Sequence, residues 1–165
     1  MTTLNSRLVN GLGLLLAVTA FLFAYLFLQL HLGLAPCPLC IIDRIFVAGA
    51  GFFFLLALIH NPGVTGQRIY GGLASLNALA GVIVCWRHIY LQNLPEELIP
   101  NCAPGLDYML ETLPLTETLS IIFNTSGECA DIQWTFMGLT IPEQTLLVFN
   151  GLLAIGLYQV FRPRS

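Results

Sequence analysis

Lysine is absent from this 165-residue chain, and charge of either sign is scarce: six arginines and nine acidic residues leave only 9% of the sequence charged, with a formal net charge of -3. No basic cluster is present that could track a phosphate backbone, which argues against nucleic acid as a partner. Repeats of useful period and low-complexity tracts are also lacking, so the chain is read as one domain rather than an array. What it has in abundance is apolar surface. Hydrophobic residues make up 56% of the sequence and the mean hydropathy is +0.80, values that exclude an ordinary soluble domain.

The apolar residues fall into four runs, Leu8 to Leu30, Ile41 to Ile59, Tyr70 to Trp86 and Leu146 to Phe161. A helix needs roughly 17 to 25 residues to cross a bilayer, so the first run is comfortable and the other three need flanking aromatic and polar residues to complete the crossing. The fold class expected is an all-α membrane protein, a single integral-membrane domain built as a four-transmembrane-helix bundle. A cleaved signal peptide is the competing reading of the first run, but that run is longer than the ~7 to 15 residues of a signal core. Pro36 directly before Cys37 is likewise a poor fit to a lipoprotein cleavage site.

Arginine distribution orients the bundle. Arg7, Arg68, Arg162 and Arg164 fall at the N-terminus, between the second and third runs, and at the C-terminus. Four crossings put all of them on one side, and the positive-inside rule makes that side the cytoplasm. Residues 91–145 contain no basic residue and hold eight of the nine acidic ones, so they form the translocated loop, with residues 31–40 on the same side. In a bacterium this is the periplasmic face of the inner membrane. Within the longer loop, Leu106, Met109, Leu110 and Leu113 share a helical face opposite Asp107 and Glu111, and apolar residues continue past Pro114. This pattern predicts a short amphipathic interfacial helix in the second periplasmic loop, broken or kinked at Pro114. Its acidity departs from the usual basic interfacial helix, and an ordinary loop helix packed on the bundle is the alternative.

Both loops carry cysteine pairs, Cys37 with Cys40 and Cys102 with Cys129, on the side where disulfides persist. Cys37-Pro38-Leu39-Cys40 opens the second span, where unpaired helix amides would favour a thiolate on Cys40. Arg44 follows one turn later on the same face, and an arginine among apolar residues requires a partner. A second Cys-x-x-Cys or a suitably spaced His pair is missing, which disfavours zinc, and no metal is expected. Covalent haem would need His where Ile41 stands, and no βαβ pattern surrounds the motif to suggest a thioredoxin-like domain. A purely structural disulfide competes for each pair. Closing the loop of about 28 residues between Cys102 and Cys129 could contribute on the order of 3 kcal/mol. Two pairs on one face of a small membrane protein point instead to thiol-disulfide exchange between them. Cys102, within the turn-forming run Asn101-Cys102-Ala103-Pro104-Gly105, is the more accessible sulfur. Cys85, inside the third span, is read as a packing residue, and His88 as either an interfacial histidine or a hydrogen-bonding group near Arg44.

Together these segments resemble the DsbB family of disulfide-bond formation proteins. The resemblance covers nearly the whole chain and is carried by Cys37-Pro38-Leu39-Cys40-Ile41-Ile42-Asp43-Arg44, by Arg87-His88-Ile89-Tyr90-Leu91-Gln92, by Cys102 in an acidic loop, and by the run from Gly127 to Leu139 leading into Ile141-Pro142. It implies a protein-dithiol:quinone oxidoreductase. A DsbA-like periplasmic thiol oxidase would be reoxidised through Cys102, with Cys129 as its loop partner. Cys40, paired with Cys37, would pass electrons to ubiquinone or menaquinone, with Arg44 and His88 at the quinone. A membrane scaffold held by two outer disulfides and a quinone reductase of the vitamin K type are the rival readings. The order of motifs disfavours the latter.

Overall fold

The computed structural model describes residues 5–101, 106–125 and 127–161. Four helical segments dominate it: residues Ser6–His31, α2 (Pro38–His60), α3 (Val64–Gln92) and α6 (Ile141–Phe161), each long and apolar enough to cross a membrane. The first is α-helical over Ser6–Leu22 (α1), after which its backbone bonding widens to a π-helix over Phe23–His31. Between α3 and α6 lie α4 (Leu106–Thr112), α5 (Leu115–Thr125) and a two-stranded antiparallel hairpin, β1 (Thr135–Phe136) with β2 (Leu139–Thr140).

The helices extend beyond the apolar runs because hydropathy stops at polar residues while backbone hydrogen bonding does not. Residues Gln67, Arg87, His88 and Gln92 all lie within the 29 residues of α3. α6 starts ahead of its apolar run with a side-chain cap, in which the Glu143 carboxylate accepts from the Thr140 amide at 2.7 Å and from the Thr140 hydroxyl at 3.0 Å. Asn61 closes α2 in the left-handed conformation, at φ 40°. Pro114 separates α4 from α5, as its sequence position predicts.

The bundle is apolar outside and partly polar within. Leu15, Ile45, Ile59, Leu76, Ile83, Trp86 and Leu147 face outward, while Asn10, Asp43, Gln67, Ser75, His88 and Gln159 are buried. With lipid as apolar as leucine, helix association depends on close packing and interhelical hydrogen bonds. Gly71 on α3 and Gly156 on α6 meet so closely that a Cβ on Gly156 would lie 2.9 Å from the Gly71 carbonyl. At the end of the bundle near residue 6, Asn10 donates to Gln67 at 2.8 Å and accepts from Gln159 at 2.8 Å, joining α1, α3 and α6. The opposite end carries Cys37, Cys40, His88 and Cys129.

α4 and α5 fold onto that second end. Met109, Ile122 and Cys129 pack with Leu39, Val84 and Leu91 in one buried cluster. Thr118 donates its hydroxyl to the Met109 carbonyl at 3.3 Å, and Arg87 holds the Phe123 carbonyl through two nitrogens at 3.2 and 3.0 Å. Tyr108, Leu115 and Leu119 are left on the outer surface.

Candidate active site

The start of α2 positions the first cysteine pair. Pro38 occupies the first helical turn, where its missing N–H costs nothing, and Cys37 caps the helix by accepting the Cys40 amide on its sulfur at 3.3 Å. The cap hydrogen bond therefore reaches Cys37, whereas the sequence places the helix-end stabilisation on Cys40. The reason is geometric: the helix begins at Pro38, so Cys40 lies inside the first turn. The two sulfurs are 2.8 Å apart, with both cysteines free.

Cys129 arrives from the other loop. It is buried in a tight 3-10 turn, Gly127–Ala130, whose first amide donates to the Asn101 carbonyl at 3.4 Å. The Pro100 carbonyl lies against Gly127, where a side chain would have no room. The Cys37 and Cys129 sulfurs and a His88 ring nitrogen all lie within 4.8 Å of one another. Hydrogen bonding with Cys129 pushes the Cys37 thiol up from its ordinary range; bonding with Cys40 and burial push it further the same way. Cys102 lies outside the described residues. Cys37, His88 and Cys129 come from separate segments of the chain, so their convergence could not be read from sequence spacing.

Arg44 has the partner that its position demands. One guanidinium nitrogen donates to Gln29 Oε1 at 2.5 Å and another to the Ala24 carbonyl at 3.1 Å, both in the π-helical stretch after α1. Sequence reasoning missed Gln29, although an amide near the end of an apolar span was the available signal. His88 is 3% exposed, its Nε2 lies 3.8 Å from the Cys37 sulfur, and its ring bonds to the Cys129 backbone. Its Nδ1 is buried without a hydrogen-bond partner.

Two further residues join the site. Asp43, 5% exposed, accepts from the Cys85 thiol at 3.6 Å. Cys85 packs in the core as expected and also serves as this donor. The signal for Asp43 was its place as the only acidic residue outside the long loop.

Cys40, Asp43, Arg44 and His88 line one cavity of about 150 Å³, completed by Ala24 and Leu28 of the first segment and Ile141, Thr145 and Val148 of α6. That volume is roughly ten times the ~10–15 Å³ that admits one water. Phe21 and Phe23 both line it and are exposed on the outer face of the bundle. A second cavity of about 20 Å³ lies among Cys37, Cys40, His88, Glu128 and Cys129. Burial pushes the Glu128 carboxyl up from its usual range.

The larger cavity combines an apolar enclosure with the Arg44 guanidinium, the Asp43 carboxyl and the His88 ring. The arrangement brings Cys129 of the outer loop to the cysteine pair at the start of α2, beside a largely apolar cavity.

Comparison with known proteins yields a match over residues 6–159 to the family described as disulfide bond formation protein DsbB. The chain is 43% identical over 162 residues to disulfide bond formation protein B of Saccharophagus degradans, covering 98% of each chain. It is 45% identical over 159 residues to that of Nitrosococcus oceani, covering 96% of this chain and 94% of the relative. The protein of the same name from Chromohalobacter salexigens is 50% identical over 133 residues, or 80% of this chain and 77% of the relative.

Proposed function

The chain belongs to the DsbB family of disulfide bond formation proteins, and from that premise we propose that it reoxidises a DsbA-type dithiol carrier and passes the electrons to a membrane quinone. A role in disulfide formation and a multi-pass membrane fold come with the family and the four long apolar helices. The bacterial periplasm is kept oxidising by a DsbA, DsbB and quinone system, in which this chain would be the membrane member.

In this reading Cys102 forms the mixed disulfide with the carrier, and Cys129 resolves it. The observation that carries the proposal is the approach of Cys129 to Cys37 within 4.8 Å, because it joins the outer-loop pair to the pair at the membrane. A structural disulfide in either loop has no need of that proximity. The electron pair then leaves through Cys40, which lines the large cavity as Cys37 does not. Hydrogen bonding with Cys129 and Cys40 pushes the Cys37 thiol up from its ordinary range, and Cys40 is the member of the pair that reaches the cavity.

Ubiquinone or menaquinone accepts two electrons and two protons there. Arg44, held by Gln29 and the Ala24 carbonyl, supplies fixed positive charge where negative charge develops on a carbonyl oxygen. The His88 ring lines the same cavity. Exposure of Phe21 and Phe23 at the cavity's outer side favours entry from lipid. The arginine bias favours cytoplasmic termini and periplasmic cysteines in the inner membrane.

The test is quinone reduction by the purified protein supplied with a reduced DsbA-like carrier, comparing the parent with Cys40→Ser and Cys102→Ser. Turnover in the parent that vanishes in both variants supports the relay. Absence of turnover in all three, with ubiquinone and menaquinone analogues and several carriers, would favour the scaffold.

A further inference from the structure

Asp43 is an acid placed among apolar helices, and an ionisable group in that setting is expensive enough to mark a functional site. It lines the large cavity beside Cys40, Arg44 and His88. Arg44 adjoins it in sequence, yet turns its guanidinium toward the first segment, where it bonds to Gln29 and Ala24. Among the described residues no basic group forms an ion pair with Asp43. Its partner is the Cys85 thiol of α3, at 3.6 Å from Oδ1. A buried carboxyl needs a hydrogen-bonding partner, and the Cys85 thiol supplies one here.

Quinone reduction at this cavity needs two protons, and the residues lining it include few groups able to supply one. Arginine never releases one under ordinary conditions. We infer that Asp43 is the proton donor of the cavity, giving its carboxyl proton to one quinone oxygen as Cys40 delivers the electron pair, with Cys85 as a positioning residue for the carboxyl.

This rests on the quinone reading above and adds the residue that handles the proton. The balance closes. The S–H bonds of Cys37 and Cys40 break and one S–S bond forms, so the dithiol loses two electrons and two protons. The quinone gains both, forming two O–H bonds. Asp43 passes one of those protons and recovers another from the thiol pair, ending each turnover unchanged. While Asp43 is ionised, the Cys85 S–H donates to it and stabilises the charge.

The experiment uses the full chain in lipid nanodiscs with a reduced carrier and a short-chain ubiquinone. Asp43→Asn keeps the shape and hydrogen-bonding capacity but has no acidic proton. General acid catalysis contributes about 10²- to 10⁴-fold, so kcat falls by that range while the quinone KM stays near the parent's. Asp43→Glu restores most of the rate, and small carboxylic acids partly rescue Asp43→Ala. Cys85→Ser retains a donor and stays near parental, whereas Cys85→Ala loses about fivefold in kcat. Independently of turnover, the infrared difference spectrum between oxidised and reduced protein contains a carboxyl carbonyl band that Asp43→Asn removes. Parental kcat in Asp43→Asn overturns the assignment, as does a loss that neither Asp43→Glu nor added acid restores. A parent that never reduces quinone overturns the quinone reading itself, and this assignment with it.

Discussion

Replacing Gln29 with leucine tests whether the first helical segment governs the quinone reaction through Arg44. The substitution is close in volume and leaves both cysteine pairs untouched. It removes the 2.5 Å hydrogen bond to the guanidinium and leaves Arg44 with the Ala24 carbonyl at 3.1 Å as its recorded partner. A hydrogen bond to a charged group contributes about 1.5 to 3 kcal/mol, and each ~1.4 kcal/mol is a factor of ten. If that energy holds the guanidinium toward the cavity, the fraction of molecules with Arg44 in place falls by roughly 10- to 150-fold. The apparent quinone affinity falls by the same factor, because binding then has to select the competent minority.

Two assays separate the halves of the reaction. Steady-state quinone reduction at saturating reduced carrier reports the quinone KM, which is expected to rise by that factor. Rapid-mixing exchange between the carrier and the protein without quinone reports the outer-loop pair, which is expected to be unchanged. A parental quinone KM in a Gln29→Leu protein of normal thermal stability would refute the tether.

Other consequences follow from the same contacts. In the reduced protein Cys37 is alkylated more slowly than Cys40, and mass spectrometry of iodoacetamide adducts against pH would show the difference. Because the folded state holds the Cys37 proton above the ordinary thiol value of ~8.5, unfolding releases a proton above that pH, so the reduced fold loses stability as pH rises through the alkaline range. Glu143→Ala removes the cap at the start of α6 and costs about 1 kcal/mol in detergent unfolding, a loss that Glu143→Gln reduces. Gly156→Val forces a side chain against Ser75 and the Gly71 carbonyl, and overpacking of this kind costs about 1–3 kcal/mol; Gly11→Val, on an open face of α1, lacks that penalty in the same unfolding assay.

The four apolar runs, the two loops and the break at Pro114 were legible in the sequence because each depends on local quantities. Hydropathy accumulates residue by residue, proline removes its own N–H, and arginine bias is a count. The place of Cys37, Cys40 and Arg44 at the start of α2 was visible for a similar reason, since spacing relative to a helix start is local. Helix ends were not. α3 continues through Arg87, His88 and Gln92 because backbone bonding and tertiary contacts carry polar residues that an apolar average rejects.

What the sequence by itself determined is therefore a four-helix membrane protein with Cys37 and Cys40 at the start of its second helix. Tertiary structure alone decided which groups face one another. Cys129 comes from a loop almost a hundred residues after Cys37, yet the Gly127–Ala130 turn sets it against Cys37 and His88. Gln29 meets Arg44 only because the first segment crosses beside α2, and Asp43 meets Cys85 only because α2 packs on α3. The physical reason is common to these cases: a buried polar group has to find its partner in space, and the choice of partner depends on helix rotation and packing, which no local run of residues encodes.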